Sequence, residues 1–115
     1  MLTIGSVVWG VTDVPRAVEF WCAALDYEPL RAPDVDWAIL VSRSGIGQRI
    51  SIKLVTSRPE ERTRHHLDLY ADDQTADVER LLGLGARQVA WRYEEGADYV
   101  VLADPDGNRF CVVQK

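Results

Sequence analysis

The residues best suited to acid–base or ligand-binding chemistry lie close together in the second half of the chain. His66, Asp68 and Tyr70 occupy alternate positions, and alternate residues of a strand point to the same face of its sheet. Histidine is the usual acid or base near neutral pH, and a tyrosine combines an apolar wall with one hydrogen-bonding group. The spacing therefore predicts one strand face able to contact a ligand or exchange a proton with it.

A weak internal repeat relates this strand to the start of the chain. At an offset of 60 residues, Ser6 matches His66 and Ser51 matches Cys111. Residues 36–40 match residues 98–102 at an offset of 62. Repeats determine architecture, and each half reads as one strand, one helix and three further strands. The repeat therefore predicts two βαβββ modules.

Local signals place the elements of these modules. Asp13 is a suitable helix N-cap with Pro15 in the first turn, and Asp72 or Asp73 has the same role in the second half. Gly-Leu-Gly at 83–85 is typical of a helix end. Strands are predicted at 3–11, 27–31, 37–42, 49–55, 65–71, 87–91, 99–103 and 109–113.

Length and composition favour one domain. The chain has 115 residues, 47% hydrophobic content and a net charge of −5, enough for a real core. We predict module one over 1–56, a linker over 57–64 and module two over 65–115. The acidic balance argues against nucleic acid, and the apolar stretches are too short to span a membrane. Without a signal-peptide pattern, we expect a cytoplasmic protein with Cys22 and Cys111 as free thiols.

The order βαβββ–βαβββ, with Asp-Pro-Asp-Gly-Asn-Arg at 104–109 before the last strand, resembles the vicinal oxygen chelate superfamily. This group includes glyoxalases, bleomycin-resistance proteins and extradiol dioxygenases. The strand-to-helix entry at 66–73 also carries the resemblance, which extends from Leu2 to Val113. It implies an α+β fold in which duplicated modules form an incomplete mixed β-barrel around a cavity, with the helices outside. It also implies a homodimer.

The four matched positions face the cavity in this arrangement, and metal-using members of the superfamily place their ligands there. Those ligands are usually His or Gln on the opening strands and Glu on the closing strands. This chain has His66 as a good ligand and Cys111 as a conditional one, whereas Ser6 and Ser51 are poor donors. Lys53, on the face of Ser51, would place a positive charge beside any cation. We therefore expect no divalent metal and no other cofactor.

The predicted ligand-binding residues share an inward position on the opening and closing strands. They are Ser6, Val8, Ser51, Lys53, His66, Asp68, Tyr70 and Cys111. The alternate positions are predicted to be core, and they include Ile50, Ile52, Leu54, Phe110 and Val112. Trp91 and Tyr93 are expected in the core or at a dimer interface. Asp68 and Lys53 form an ion pair in one structural alternative, and the orientation of Trp37 is left open.

These residues support four functions. We favour a small-molecule binding protein with a degenerate metal site. The alternative is a metal-independent lyase, isomerase or dehydratase, in which His66 is the acid or base, Asp68 orients it or acts beside it, and Lys53 holds an anionic oxygen. A divalent-metal glyoxalase or dioxygenase using His66 and Cys111 ranks lower. The fourth is a domain that only contacts another protein.

Overall fold

The computed structural model describes residue 1 and residues 4–59 and 65–115. It forms two compact units, residues 1–57 and 58–115, and each has the order strand, helix, three strands. Thr3, which was expected in the first strand, and residues 60–64 of the predicted linker lie outside the described residues. Within the described ranges, no helix is long and apolar enough to cross a membrane.

The first unit is a four-stranded mixed sheet with one helix. Its elements are β1 (Val7–Val11), α1 (Val14–Leu25), β2 (Tyr27–Pro29), β3 (Trp37–Ser42) and β4 (Ile50–Leu54). The strand order is β1-β4-β3-β2. β1 runs parallel to β4, and the other pairs are antiparallel.

Helix α1 begins as its sequence predicts. The Asp13 side chain accepts a hydrogen bond from the Arg16 N–H at 3.0 Å, and Pro15 lies in the first turn. The helix ends at Asp26, whose left-handed backbone lets its N–H bond the Cys22 carbonyl. The apolar face of α1 is buried through Val14, Ala17, Phe20, Trp21 and Ala24. This burial fixes the helix against its sheet.

The second unit repeats the first. Its elements are β5 (Leu67–Ala71), α2 (Gln74–Leu84), β6 (Arg87–Gln88), β7 (Tyr99–Ala103) and β8 (Arg109–Gln114), with the strand order β5-β8-β7-β6. Asp73, rather than Asp72, is the N-cap of α2, and it accepts a hydrogen bond from the Ala76 N–H at 3.1 Å. The helix ends at Gly85, whose φ of 117° favours glycine.

The strand registers show the duplication directly. Val8 lies opposite Ser51 in the first sheet, and Asp68 lies opposite Cys111 in the second, so both partners move by 60 residues. The antiparallel pairs of β3 and β7 use the second predicted offset of 62, because Trp37 lies opposite Lys53 and residue 99 lies opposite residue 113. The α+β class and the duplicated βαβββ modules are confirmed, with one four-stranded mixed sheet in each unit.

The turn that precedes β8 is built around a buried carboxylate. Asp104 is fully buried and accepts hydrogen bonds from the backbone N–H groups of Asp106 at 3.0 Å and Asn108 at 2.8 Å. The Asn108 side-chain amide adds a third contact at 3.4 Å. Gly107 supplies the positive φ of 90° that the turn needs. The Asp-Pro-Asp-Gly-Asn motif therefore has a structural role in holding β8 in place.

Several boundary and burial predictions were wrong, and three of them matter here. β1 begins at Val7, and β6 ends at Gln88 instead of reaching Trp91. Beyond β6 the chain leaves the sheet, and the Tyr93 hydroxyl takes the strand's place by accepting a hydrogen bond from the backbone N–H of residue 101 at 2.8 Å. Leu54 is 41% exposed instead of buried, because it lies one position past the last pair of β3 with β4. Among the other predicted core residues, Ile50, Ile52, Phe110 and Val112 are buried, whereas Val7, Trp9, Leu67 and Leu69 are of intermediate burial.

Candidate functional site

The site in the second unit begins with the pairing of β5 and β8. Their parallel register places Asp68 opposite Cys111, and directly opposite residues share a sheet face. We call this the pocket face. His66 lies one residue before β5, and its Nε2 is 3.2 Å from Asp68 Oδ1. The atoms of His66, Asp68 and Cys111 that could bind a metal ion, a ring nitrogen, a carboxylate oxygen and the Sγ, all lie within 4.8 Å of one another.

A pocket of about 430 Å³ covers this cluster, a volume in the usual range for small-molecule sites. Its lining includes four predicted ligand-binding residues, which are His66, Asp68, Tyr70 and Cys111. Three aromatic side chains form its walls, namely Tyr70, Trp91 and Tyr99. Asp98, Val113 and Lys115 complete it. Every one of these residues belongs to the second unit, so a single module supplies a polar cluster with aromatic walls.

A cationic side chain of the same unit lies over each of two aromatic rings near this cluster. The Lys115 ammonium lies 4.8 Å from the centroid of the Tyr70 ring. The Arg109 guanidinium carbon lies 5.8 Å from the centroid of the Trp91 ring. Both distances fall within the range of cation–π attraction. The ring faces of this unit therefore attract positive charge.

The Cys111 thiol is held in its neutral form. Burial raises the pKa of Cys111, and the negative charge of Asp68 raises it further. Since the thiolate is the form that binds metals and attacks electrophiles, both causes act against those roles near neutral pH. The side chain therefore serves here as a small, weakly polar part of the pocket surface.

Tyr99 is positioned by hydrogen bonds on the far side of the pocket wall. Its hydroxyl donates to a carboxylate oxygen of Glu94 at 2.9 Å. The hydrogen bond with Trp91 lowers the pKa of Tyr99, but the Glu94 bond, burial and neighbouring negative charges together raise it above its usual value. The hydroxyl therefore keeps its proton at neutral pH and stays bonded to Glu94.

The matched positions of the first unit hold different chemistry. The hydroxyl oxygens of Ser6 and Ser51 are 2.7 Å apart and hydrogen-bond each other, and Ser51 is only 3% exposed. Val8 is 55% exposed beside this pair. Lys53 is exposed and lies opposite Trp37, which places the Trp37 ring on the face of Lys53 and settles its orientation within the sheet.

The structure thus groups the predicted site residues in two sets, one in each unit. The pairing of Asp68 with Lys53 stays a prediction, and within its own unit Asp68 contacts His66. Sequence reasoning missed the contribution of Trp91, Asp98, Tyr99 and Lys115 to the pocket. Trp91 and Tyr93 are 40% and 41% exposed, so their predicted place in the core was wrong, whereas their place at a dimer interface stays a prediction. The register could have placed Tyr99, because it lies opposite Val113 on the pocket face.

A second cavity of about 460 Å³ lies beside the segment that follows β6. Its lining includes Gln74 of α2, Tyr93 and Glu94 of that segment, and the first three residues of β7. It is slightly larger than the first pocket, but none of the predicted ligand-binding residues lines it. We therefore take the pocket around His66 as the candidate site, because the volume of a cavity alone does not indicate a function.

Two βαβββ modules, with a pocket on one sheet face of the second, are typical of the vicinal oxygen chelate class. The family model for the glyoxalase-like domain matches residues 6–113 of this chain. The chain therefore belongs to the glyoxalase-like domain family. Among curated proteins, none matches it significantly.

Solved structures share this fold at low sequence identity. A glyoxalase-related enzyme from Fulvimarina pelagi is 18% identical with a TM-score of 0.74, covering 100% of this chain and 89% of its own. The fosfomycin resistance protein FosX from Mesorhizobium loti is 16% identical with a TM-score of 0.73, covering 98% and 91%. TnmS3, an antibiotic binding protein from Streptomyces sp. CB03234, is 24% identical with a TM-score of 0.63, covering 99% and 96%. At these identities the likeness establishes the fold alone.

Proposed function

We propose that this chain is a small-molecule binding protein whose ligand lies against the pocket face of the second unit. The observation that carries the proposal is the pocket of about 430 Å³, in which aromatic walls surround a few polar groups. Ligand sites typically combine mostly apolar walls with a small number of orienting polar groups. Among proteins of the same fold, TnmS3 binds an antibiotic and FosX is a fosfomycin resistance protein, which supports a binding role.

The test uses the position of Trp91 in the pocket wall. A panel of planar drugs and metabolites is titrated while tryptophan fluorescence is recorded, and calorimetry gives the affinity of each compound that responds. We expect Trp91→Phe to remove most of the fluorescence change and to weaken binding about twofold to fivefold, because the smaller ring covers less ligand surface. Val35→Ala, at a residue that is 88% exposed in a loop, is the matched control. An unchanged signal in Trp91→Phe would place the ligand elsewhere.

We further propose that binding requires no divalent metal ion. The two serines of the first unit bond each other and offer only neutral hydroxyls, and the raised pKa of Cys111 opposes the thiolate that a metal needs. Asp68 nevertheless adds a third donor to His66 and Cys111. Protein purified without a histidine tag is therefore reconstituted with Zn, Ni, Mn or Fe and analysed for metal content. Near-stoichiometric retention of any of these ions would contradict the proposal.

A metal-independent lyase, isomerase or dehydratase is the second candidate, favoured by the contact between His66 and Asp68. A carboxylate at 3.2 Å can orient the imidazole ring, and the His66 side chain, at 46% exposure, can reach both ligand and solvent. In this candidate His66 moves the proton and Asp68 holds the ring. Turnover of a ligand found in the panel, abolished by His66→Ala and reduced by Asp68→Asn, would establish it. Turnover unchanged in both variants would exclude His66 and Asp68 as its acid–base pair, and no turnover of any bound compound would leave binding as the function.

The resemblance also implies a homodimer, which we retain as a proposal. Sedimentation equilibrium over a range of protein concentrations measures the mass directly. A mass of about 13 kDa at every concentration, the mass of one chain, would contradict it.

A further inference from the structure

We infer that the pocket binds a ligand carrying a positive charge, and that the ligand's cation takes the place over the Tyr70 ring that the Lys115 ammonium fills in this structure. The inference rests on the proposed binding function and names the chemical class of the ligand. It assigns Tyr70 as the centre of a cation subsite. It also gives Lys115 the role of an internal competitor for that subsite.

The geometry of Lys115 is the first observation. Its ammonium lies 4.8 Å from the Tyr70 ring centroid, inside the range of about 6 Å in which a cation is attracted to an aromatic face. Tyr70 is 71% exposed, so its ring remains accessible from the pocket. The Lys115 backbone is anchored, because its N–H donates to the Ala71 carbonyl at 2.9 Å. Only the lysine side chain needs to move for another cation to reach the ring.

The charges of the lining are the second observation. Asp68 and Asp98 both line the pocket with Lys115, so two carboxylates face one ammonium, and the His66 imidazole beside Asp68 adds a positive charge only when it is protonated. The backbone of Asp98 is held in place, since its carbonyl accepts hydrogen bonds from the Gln74 side chain and from the Gln114 N–H, both at 2.9 Å. A cation in this pocket meets an aromatic face and two carboxylates, whereas an anion meets both carboxylates with one lysine to offset them.

The strength of the lysine contact allows exchange. A cation–π contact at an exposed ring is weak, so the need to displace the Lys115 ammonium from Tyr70 reduces the affinity of the wild-type protein for a cation by only about twofold to fivefold. The same ammonium repels an approaching cation across the pocket. Loss of the lysine charge should therefore tighten cation binding, and this distinguishes an internal competitor from a residue that contacts the ligand favourably.

Three probes of similar size isolate the charge. They are phenyltrimethylammonium, its neutral carbon isostere tert-butylbenzene, and benzenesulfonate, and NMR titration gives the dissociation constant of each. We expect the cation to bind about tenfold more tightly than the neutral isostere, and benzenesulfonate to bind most weakly. Lys115→Gln should tighten cation binding about twofold to tenfold and leave the neutral probe unchanged. Arg58→Gln removes the same charge from an exposed position of the same unit and should leave all three constants unchanged.

Variants of the ring and of the acid complete the test. Tyr70→Phe keeps the aromatic face and should keep the preference for the cation, whereas Tyr70→Leu should remove it. Asp98→Asn should weaken binding of the cation alone. Weaker cation binding in Lys115→Gln, or tighter binding of benzenesulfonate than of the cation, would overturn the inference and leave the binding function standing. If none of the three probes binds, the inference fails, whereas the binding function is decided by the separate titration with Trp91→Phe.

Discussion

Asp104 offers the sharpest test of how the fold holds the site, because one buried carboxylate organises the turn that starts β8. It is 0% exposed and accepts three hydrogen bonds, at 3.0, 2.8 and 3.4 Å. Hydrogen bonds to a charged group contribute roughly 1.5–3 kcal/mol each, and a buried donor left unpaired costs about 1–3 kcal/mol. We expect Asp104→Ala to lower the free energy of unfolding by about 3–4 kcal/mol, since water reaches part of the turn.

The conservative variant separates charge from shape. Asp104→Asn keeps one oxygen to accept from the backbone of Asp106 and Asn108 but loses the charge, so we expect a loss of about 1.5–2 kcal/mol. For a chain of this size the alanine variant should melt roughly 12–16 °C below the wild type. Urea denaturation with linear extrapolation gives the free energies, and an unchanged m-value checks that the unfolding transition is comparable.

The control variant changes an aspartate that is exposed, in contrast to the buried Asp104. Asp34→Asn, in an exposed loop of the first unit, should change stability by less than about 0.5 kcal/mol. If Asp104→Ala stays within 1 kcal/mol of the wild type, the turn is held by its backbone alone and the role given to the carboxylate is wrong. If Asp104→Asn is as destabilising as Asp104→Ala, the charge carries the whole effect.

Further predictions concern the polar pairs of the two sheets. Asp68→Asn removes a negative charge that raises the pKa of Cys111, so that pKa should fall while staying above the usual value, because burial, the larger cause, is unchanged. In a Cys22→Ala background, alkylation at pH 8 should then be faster for Asp68→Asn, and an equal or slower rate would contradict the electrostatic account. Ser51→Ala breaks the 2.7 Å bond to Ser6 and should cost about 1 kcal/mol of unfolding free energy, measured by urea denaturation. A stabilised variant would show that the pair contributes nothing.

The helix ends and the duplication were predictable because their causes are local or repeated. The Asp13 side chain caps α1 by accepting a hydrogen bond from the backbone N–H three residues further along the chain. Gly85 ends α2 because its φ is positive. These signals lie within a few residues of the structure they determine. The offsets of 60 and 62 were readable because both copies keep the same strand registers.

The walls of the pocket were harder to predict because tertiary contacts set them. Trp91 reads as part of a strand by its spacing, but β6 ends at Gln88. The Tyr93 hydroxyl, bonded to the backbone of β7, then takes over the edge of the sheet. Tyr93 is close to Trp91 in the sequence, but the sequence does not show that its hydroxyl reaches the backbone of residue 101. Lys115 likewise reaches Tyr70 only because β8 runs parallel to β5, a pairing between distant parts of the chain.

The two units together separate what the backbone decides from what the side chains decide. In both, the closing strand pairs in parallel with the opening strand at the same register, so the same positions meet. In the first unit the meeting pair is Ser6 and Ser51, which satisfy each other and leave little to offer a ligand. In the second unit His66, Asp68 and Cys111 converge instead, with half-exposed polar groups under aromatic walls. Because the backbone is common to both, the chemistry of the second unit must come from its substitutions, and the proposed binding function predicts that these positions select the ligand.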